Sequence, residues 1–288
     1  MAWFFLSIFT AIFTSIADLF IKRGLKNGID EYLAAWGWRI FALLFLLPLL
    51  FFIPIPKISS QFWWALFFGG GLNTLASLLY MKAIKISPLS LTVPMLTFTP
   101  LFLLLTSPII LGEFPKIFGI LGILLIVFGS YLLNIHIIKN GYSAPFKALI
   151  KEKGSAMMLL AAFIWSITSN IDKIGVLSSS PIFWIISVNI FISLILSMII
   201  LFQRKNFKEN IIPNTKALLP IGMFLTLSLI CQMTAIKMAL VSYVISIKRT
   251  SIIFSSLYGF FIFKEPFLKF RLIGILIMVL GVFSITLS

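Results

Sequence analysis

The sequence predicts an all-α, polytopic integral membrane protein, ten transmembrane helices arranged as two inverted five-helix repeats. Two observations carry that expectation: the distribution of apolar residues and an internal repeat. Of the 288 residues, 60% are hydrophobic and 11% charged, and the mean hydropathy is +1.13. Ordinary soluble domains hold about 45–50% apolar and about 25% charged residues. Most of the outer surface of this chain therefore calls for lipid rather than water.

A helix crosses a bilayer core with about 20 apolar residues. Ten such runs follow one another: Trp3 to Ile21, Tyr32 to Ile53, Phe62 to Met81, Leu89 to Leu111, Ile117 to Ile138, Ser155 to Ile174, Ile182 to Phe202, Ala217 to Ile236, Leu240 to Phe263 and Phe270 to Leu287. Short punctuators separate them, among them Asn27-Gly28, Pro54 and Pro56, Ser87-Pro88, Lys139-Asn140-Gly141 and Pro213-Asn214. No connection is long enough for a soluble domain. The first run has no basic stretch before it and no small-residue cleavage site after it, so a retained helix is expected rather than a signal peptide.

The formal net charge is +15. A nucleic-acid binder gathers its basic residues on a water-facing surface, whereas here they lie between apolar runs, so nucleic acid is not an expected partner. Sixteen Lys and Arg residues fall on the side of the links after runs 1, 3, 5, 7 and 9, Arg271 at the edge of run 10 among them. Only Lys57, Lys116, Lys173 at the edge of run 6, and Lys237 fall on the opposite side, and Arg39, Lys248 and Arg249 lie deeper within runs. By the positive-inside rule both termini face away from the cytoplasm, in a multi-pass protein expected in the plasma (cytoplasmic) membrane. The lone Cys231 excludes an internal disulfide framework, and the lone His136 argues against a zinc site or a His-based triad. No catalytic residues, metal or cofactor are expected.

The internal repeat is specific because polar residues match. At an offset of 152 residues, Gly70 meets Gly222, the run Met81 to Lys85 meets Met233 to Lys237, Ser90 meets Ser242, Glu113 meets Glu265, and GILLIVFG at Gly122 to Gly129 meets GILIMVLG at Gly274 to Gly281. At an offset of 154, Thr14, Ser15 and Asp18 meet Thr168, Ser169 and Asp172. The repeats span residues 1–139 and 154–288, joined by a basic linker, 140–153. Five spans is an odd number, so the second repeat enters the membrane from the opposite side. Such inverted repeats give a carrier two mirror-related states around one central site.

Each half ends in a small acidic turn followed by a glycine-spaced helix, LGEFPKIFGILGILLIVFG and FKEPFLKFRLIGILIMVLG. In these motifs, and over its whole length, the chain resembles the drug/metabolite transporter superfamily in its ten-helix EamA-like branch. Arg39 also looks like an arginine often found in the second span of that family. The resemblance implies transport of amino acids, other metabolites, drugs, nucleotide-sugars or phosphorylated compounds, without choosing among them. It also implies cytoplasmic termini, the alternative to the charge count.

Lys248 and Arg249, in SYVISIKRTSIIFSS, carry the strongest functional signal, since a charge at the centre of a membrane helix costs about 2.5–3.5 kcal/mol on insertion scales. With Ser246 and Tyr243 on the same span they are candidate cargo contacts, the guanidinium fork suiting carboxylate or phosphate. The alternative is an ion pair between Arg249 and Asp18 or Asp172, with Lys248 snorkelling to the interface. The first repeat places Leu96 and Thr97 where the second has the cationic pair, and Pro94 and Pro100 should kink that span. Thr97 and Arg39 complete the candidate cargo residues; beside Arg39, Trp36 and Trp38 are either interfacial or stacking aromatics. Asp18 and Asp172 are candidates for proton coupling, against the simpler reading of interfacial ion pairs with Lys22 and Lys173. Asn73, Asn170, Asn189 and Gln232 are polar candidates that helix-to-helix hydrogen bonds would equally satisfy. Glu113 and Glu265 are read as helix-start acids, and Gly119, Gly122, Gly129, Gly274 and Gly281 as close-packing positions.

The expected function is secondary active transport, export or exchange, of a small polar metabolite, anionic or zwitterionic, by alternating access. The sequence holds no P-loop, so a gradient or exchange must drive it. Proton-coupled efflux of cationic drugs, an intramembrane enzyme and a channel are the alternatives. The expected partners are a polar small-molecule cargo and the lipid bilayer, with a homodimer left open.

Overall fold

The computed structural model describes residues 1–26, 31–87, 93–134, 153–202, 215–255, 257 and 269–288, and every regular element among them is helical. Helix α1 is Ala2–Lys26, and α2 is Glu31–Leu46, continued by a 3-10 turn at Leu47–Phe51 where Pro48 removes a backbone donor. Helix α3 runs through Ser60–Trp64, a π turn at Ala65–Gly69 and Gly70–Ile86. A 3-10 segment, Val93–Phe98, leads into α4, Thr99–Leu111. There follow α5 (Ile117–Asn134), α6 (Lys153–Leu177), α7 (Pro181–Phe202), α8 (Thr215–Met238), α9 (Val241–Lys248) and α10 (Lys269–Thr286). Each of the ten apolar runs thus has a helical counterpart. Apart from Lys153, the expected linker lies outside the described residues, as does Glu265.

Five helices among the described residues are long and apolar enough to cross a membrane: Ala2–Ile21, Ser60–Ala83, Lys153–Leu177, Pro181–Phe202 and Leu218–Met238. The side-chain distribution is that of a chain in lipid. Phe5, Phe9, Trp63, Trp64, Phe67, Ile109, Leu201, Leu276 and Phe283 point outward, whereas Arg39, Asn170, Asp172, Asn189, Gln232 and Ser246 are buried. Without water in the hydrocarbon, polar groups are satisfied between helices. Asn170 accepts from Ser107 Oγ at 2.8 Å and donates to Thr106 Oγ1 at 3.0 Å, tying α6 to α4. Trp165 Nε1 donates to Asn73 Oδ1 at 3.3 Å, tying α6 to α3.

The two halves are interleaved rather than side by side. Helix α1 packs on α8, and its repeat counterpart α6 packs on α3; α9 packs on α1 as α4 packs on α6; and α5 packs on α10. Every one of these pairs maps onto another, or onto itself, when the halves are exchanged, as a pseudo-two-fold axis requires. The α5–α10 seam depends on glycine. A Cβ on Gly122 would lie 2.5 Å from the carbonyl oxygen of Gly281, and one on Gly129 would lie 2.6 Å from that of Gly274. The glycine spacing read from the sequence is therefore a backbone-to-backbone contact.

Two of the spans are broken. The first half passes from 3-10 to α-helix between Phe98 and Thr99, with Pro94 and Pro100 on either side, as the prolines predict. The second half ends α9 at Lys248, turns at Arg249 and Thr250, and resumes helix at 251–255. At the 152-residue offset, Thr99 corresponds to Ser251. Both breaks therefore fall at the same place in the repeat, although the second contains no proline.

If the α5–α10 seam holds the halves together, Gly129→Val should introduce overpacking of about 1–3 kcal/mol and lower the unfolding temperature of the detergent-solubilised protein. Gly71→Ala, at a position with open space around it, should leave that temperature within error.

Candidate functional site

The broken part of the second repeat positions the cationic pair. Val241 to Ile247 are buried, and the chain leaves the helix just where Lys248 and Arg249 follow. Both side chains point into the bundle. Lys248 Nζ donates to Gln232 Oε1 on α8 at 2.7 Å, so it does not reach back to an interface. Arg249 Nη2 donates to Thr99 Oγ1 at 2.8 Å, across the halves and from one helix break to the other. The Arg249 Nε–H is buried and has no partner, leaving a donor of the guanidinium unused.

Asp18 faces this pair. On α1, Phe5 and Phe9 are exposed to lipid, and Asp18 lies nine residues beyond Phe9, about 180° around the helix at 3.6 residues per turn. It is nevertheless accessible and interacts electrostatically with Lys248 and Arg249. A carboxylate on the inward face of a helix that remains accessible sits at an opening in the bundle rather than in its packed core. Tyr80 on α3 adds to the same environment, interacting electrostatically with Arg249 and lying tilted against the Trp165 ring, 5.4 Å between centroids.

Asp172, the repeat counterpart of Asp18, is in a different state. It is 7% exposed and accepts a hydrogen bond from Trp184 Nε1 at 3.0 Å, although Lys248 and Arg39 act on it electrostatically. The expected interfacial ion pair with Lys173 is not what forms. Lys173 instead pairs with Glu113 and donates to the Ala239 carbonyl at 2.8 Å. The corresponding pairing of Asp18 with Lys22 involves a side chain outside the described residues.

Arg39 sits deeper than an interfacial residue, at 5% exposure. Its guanidinium stacks 4.3 Å from the Trp38 ring centroid and donates to Ser77 Oγ at 3.1 Å and Asn189 Oδ1 at 3.4 Å. Its Nε–H is buried without a partner, as is that of Arg249.

The three other expected positions are buried. Ser246 Oγ donates to the Ser242 carbonyl at 2.6 Å, so its hydroxyl is used within α9. The Tyr243 hydroxyl accepts from the Lys116 amide at 3.1 Å, and its ring lies 6.3 Å from that of Trp3, near the start of α1 and away from the cationic pair. Thr97 is buried in the 3-10 segment, and Thr99 two residues on is the acceptor for Arg249. Glu113 also differs from expectation: its Oε2 accepts from the Val241 amide at 3.0 Å, so it serves the start of α9 in the other half rather than of α5. Tyr80 and Thr99 were missed by sequence reasoning. A signal for Tyr80 existed, since at the 152-residue offset it corresponds to Gln232, and these two repeat-related residues lie beside Arg249 and Lys248 respectively.

The chain matches the EamA-like transporter family over residues 1–135 and 152–287. It belongs to that family. An uncharacterized transporter of Archaeoglobus fulgidus is 26% identical over 98% of this chain and 97% of its own length. A solved crystal structure shares the fold, with a TM-score of 0.74 and 14% identity over 99% of this chain and 96% of that one. This EamA-like transporter is accordingly a multi-pass membrane protein, and its interior carries an accessible acid opposite two cations at a helix break.

An unpaired buried donor costs about 1–3 kcal/mol, and Arg249 bears one beside a second cation. Groups kept for function in this way are expected to be suboptimal for stability. Arg249→Met should therefore hold or raise the unfolding temperature in detergent. A fall of several degrees would mean that Arg249 is a structural tie between α9 and α4.

Proposed function

We propose that this transporter is a secondary carrier of a small metabolite bearing both a carboxylate and an amine, exported or exchanged by alternating access. The observation that carries this reading is the accessible Asp18 facing Lys248 and Arg249 in one cavity. A purely anionic cargo would meet repulsion from Asp18, and a purely cationic one repulsion from the basic pair. A zwitterion offers each side its complement. Arg249 would hold the carboxylate through its fork, Lys248 would add a point charge, and Asp18 would take the ammonium. Thr99 and Gln232 would orient the two bases, and Arg39 would supply further positive potential from the α2 side.

The helix breaks support the same reading. Discontinuous helices at the bilayer midplane are how inverted-repeat carriers expose backbone to cargo, and here two breaks meet through the Arg249–Thr99 bond. We assign the basic links to the cytoplasmic side of the plasma membrane, with both termini outside. The functional units are the two repeats, residues 1–139 and 154–288. Asp18 also keeps the second reading alive, in which this carboxylate exchanges a proton against a cationic drug.

Ligands that bind the folded state raise its apparent stability. In a thermal-shift screen of the detergent-solubilised protein, zwitterionic metabolites should give larger shifts than simple anions or cations, and Arg249→Ala should abolish both the shift and vesicle uptake. Shifts by lipophilic cations that vanish in Asp18→Asn, with none by zwitterions, would replace this reading with the drug-efflux one.

A further inference from the structure

One end of the bundle is stitched together by bonds that cross between the halves. The turn after α4 starts with Gly112 in the left-handed region, φ 67°, where glycine is at ease. The chain then swings Glu113 away from its own half. One carboxylate oxygen of Glu113 pairs with Lys173 on α6, and the other accepts from the Val241 amide at 3.0 Å, at the start of α9. Lys173 closes the ring by donating to the Ala239 carbonyl, also in the second half, at 2.8 Å. Around this ring, the Lys116 amide donates to the Tyr243 hydroxyl at 3.1 Å, and the Ser59 amide to the Ser178 carbonyl at 3.3 Å. Both partners of the central ion pair are only 12% exposed.

Asp172 precedes Lys173 on α6, and it is buried against the Trp184 indole, from whose N–H it accepts a hydrogen bond. The Gly175 Cα leaves room for the Trp184 ring, which a Cβ there would strike. Asp18, by contrast, is on the far side of the cationic pair. It is fifteen residues along α1 from Trp3, which contacts the Tyr243 ring, hence about 22 Å from the stitched end at 1.5 Å per residue. The two repeat-related acids are thus in opposite conditions, one accessible and one buried against Trp184.

The ring is also a place where the repeat is broken. An acid recurs at both turns, Glu113 and Glu265, but at the local offset of 154 the residue matching Lys173 is Leu19. The lysine of this pair therefore has no counterpart at the matching position of the first repeat.

We propose that Glu113 and Lys173 are the gate residues for one end of the carrier, and that Asp18 and Asp172 exchange accessibility when this gate opens. This rests on the alternating-access reading above. In the present state the gate is shut, Asp18 is open to solvent and Asp172 is sealed. Breaking the ion pair lets the halves rock, which uncovers Asp172 past Trp184 and closes the cavity over Asp18. Glu113 and Lys173 act by positioning helices and touch no cargo.

Carboxyl footprinting reads both acids in one experiment. The protein is held in lipid nanodiscs, where both faces meet reagent, treated with a carbodiimide and a hydrophilic amine, and analysed by mass spectrometry. The unaltered protein should be modified at Asp18 much faster than at Asp172. Glu113→Gln and Lys173→Gln should each shift the balance between the two states by about tenfold or more, the scale of a lost charged hydrogen bond, raising modification of Asp172 and lowering that of Asp18. Lys173→Gln leaves the Glu113 bond to Val241 in place, so it carries the test if Glu113→Gln fails to fold. Mere loosening of the structure would raise modification at both acids, and that result, or no change at either, overturns the gate. The readout needs no cargo, so its failure leaves the Arg249 uptake measurement standing, and failure of the latter does not alter the footprint.

Discussion

Two adjacent positive charges inside a lipid bilayer set the constraint to which the rest of the fold answers. Neither Lys248 nor Arg249 can face hydrocarbon, so each needs a polar partner inside the bundle. The chain resolves this by ending α9 at Lys248 and turning at Arg249. The two side chains then diverge, Lys248 to Gln232 on α8 and Arg249 to Thr99 at the opposing break. The free backbone at such a break is tolerable only inside protein or beside water. The broken segment must accordingly be walled by other helices, and those helices bring Asp18, Tyr80 and Arg39 to the same region.

The wall is provided by symmetry. Because α9 packs on α1 and α4 on α6, each half supplies the surroundings of the other's broken span, and neither half makes the cavity alone. The glycine seam between α5 and α10 holds the pseudo-two-fold partners at backbone contact. Packing of small residues, rather than apolar burial, is the means available in lipid, where hydrocarbon outside is as apolar as hydrocarbon inside. A small set of backbone contacts can therefore anchor an assembly whose other interfaces carry polar bonds that remake in a second arrangement.

The features legible in the sequence were those encoded within a single helix or by the repeat. Run lengths located the spans, the glycine spacing marked α5 and α10 as closely packed without pairing them, the prolines located the first break, and the cost of intramembrane charge drew attention to Lys248 and Arg249. What was not legible depended on which helix lies next to which. Lys173 is adjacent to Asp172 in sequence, and a helix directs adjacent residues to different neighbours, so Lys173 meets Glu113 and Asp172 meets Trp184. Tyr243 and Ser246 share the span of the cationic pair, but one reaches the turn before α5 and the other is taken by its own helix. Glu113 reads as a cap for the helix that follows it, and its actual partners, the Val241 amide and Lys173, come from the other half.

The same symmetry explains why its violations are informative. If the two repeats were identical, the two closed states would be equal in energy, and a carrier would have no preferred resting side. Each departure biases that balance: Lys248 and Arg249 against Leu96 and Thr97 at the breaks, Gln232 against Tyr80 beside them, Lys173 against Leu19 at the ends. The first two concern the central cavity, which both states share, so they tune what is bound. The third lies at one end, outside the central cavity, so it tunes which state is occupied. In an inverted-repeat carrier, substitutions near the axis and substitutions at the ends are therefore separable in effect, the former acting on cargo and the latter on the direction in which the empty protein waits.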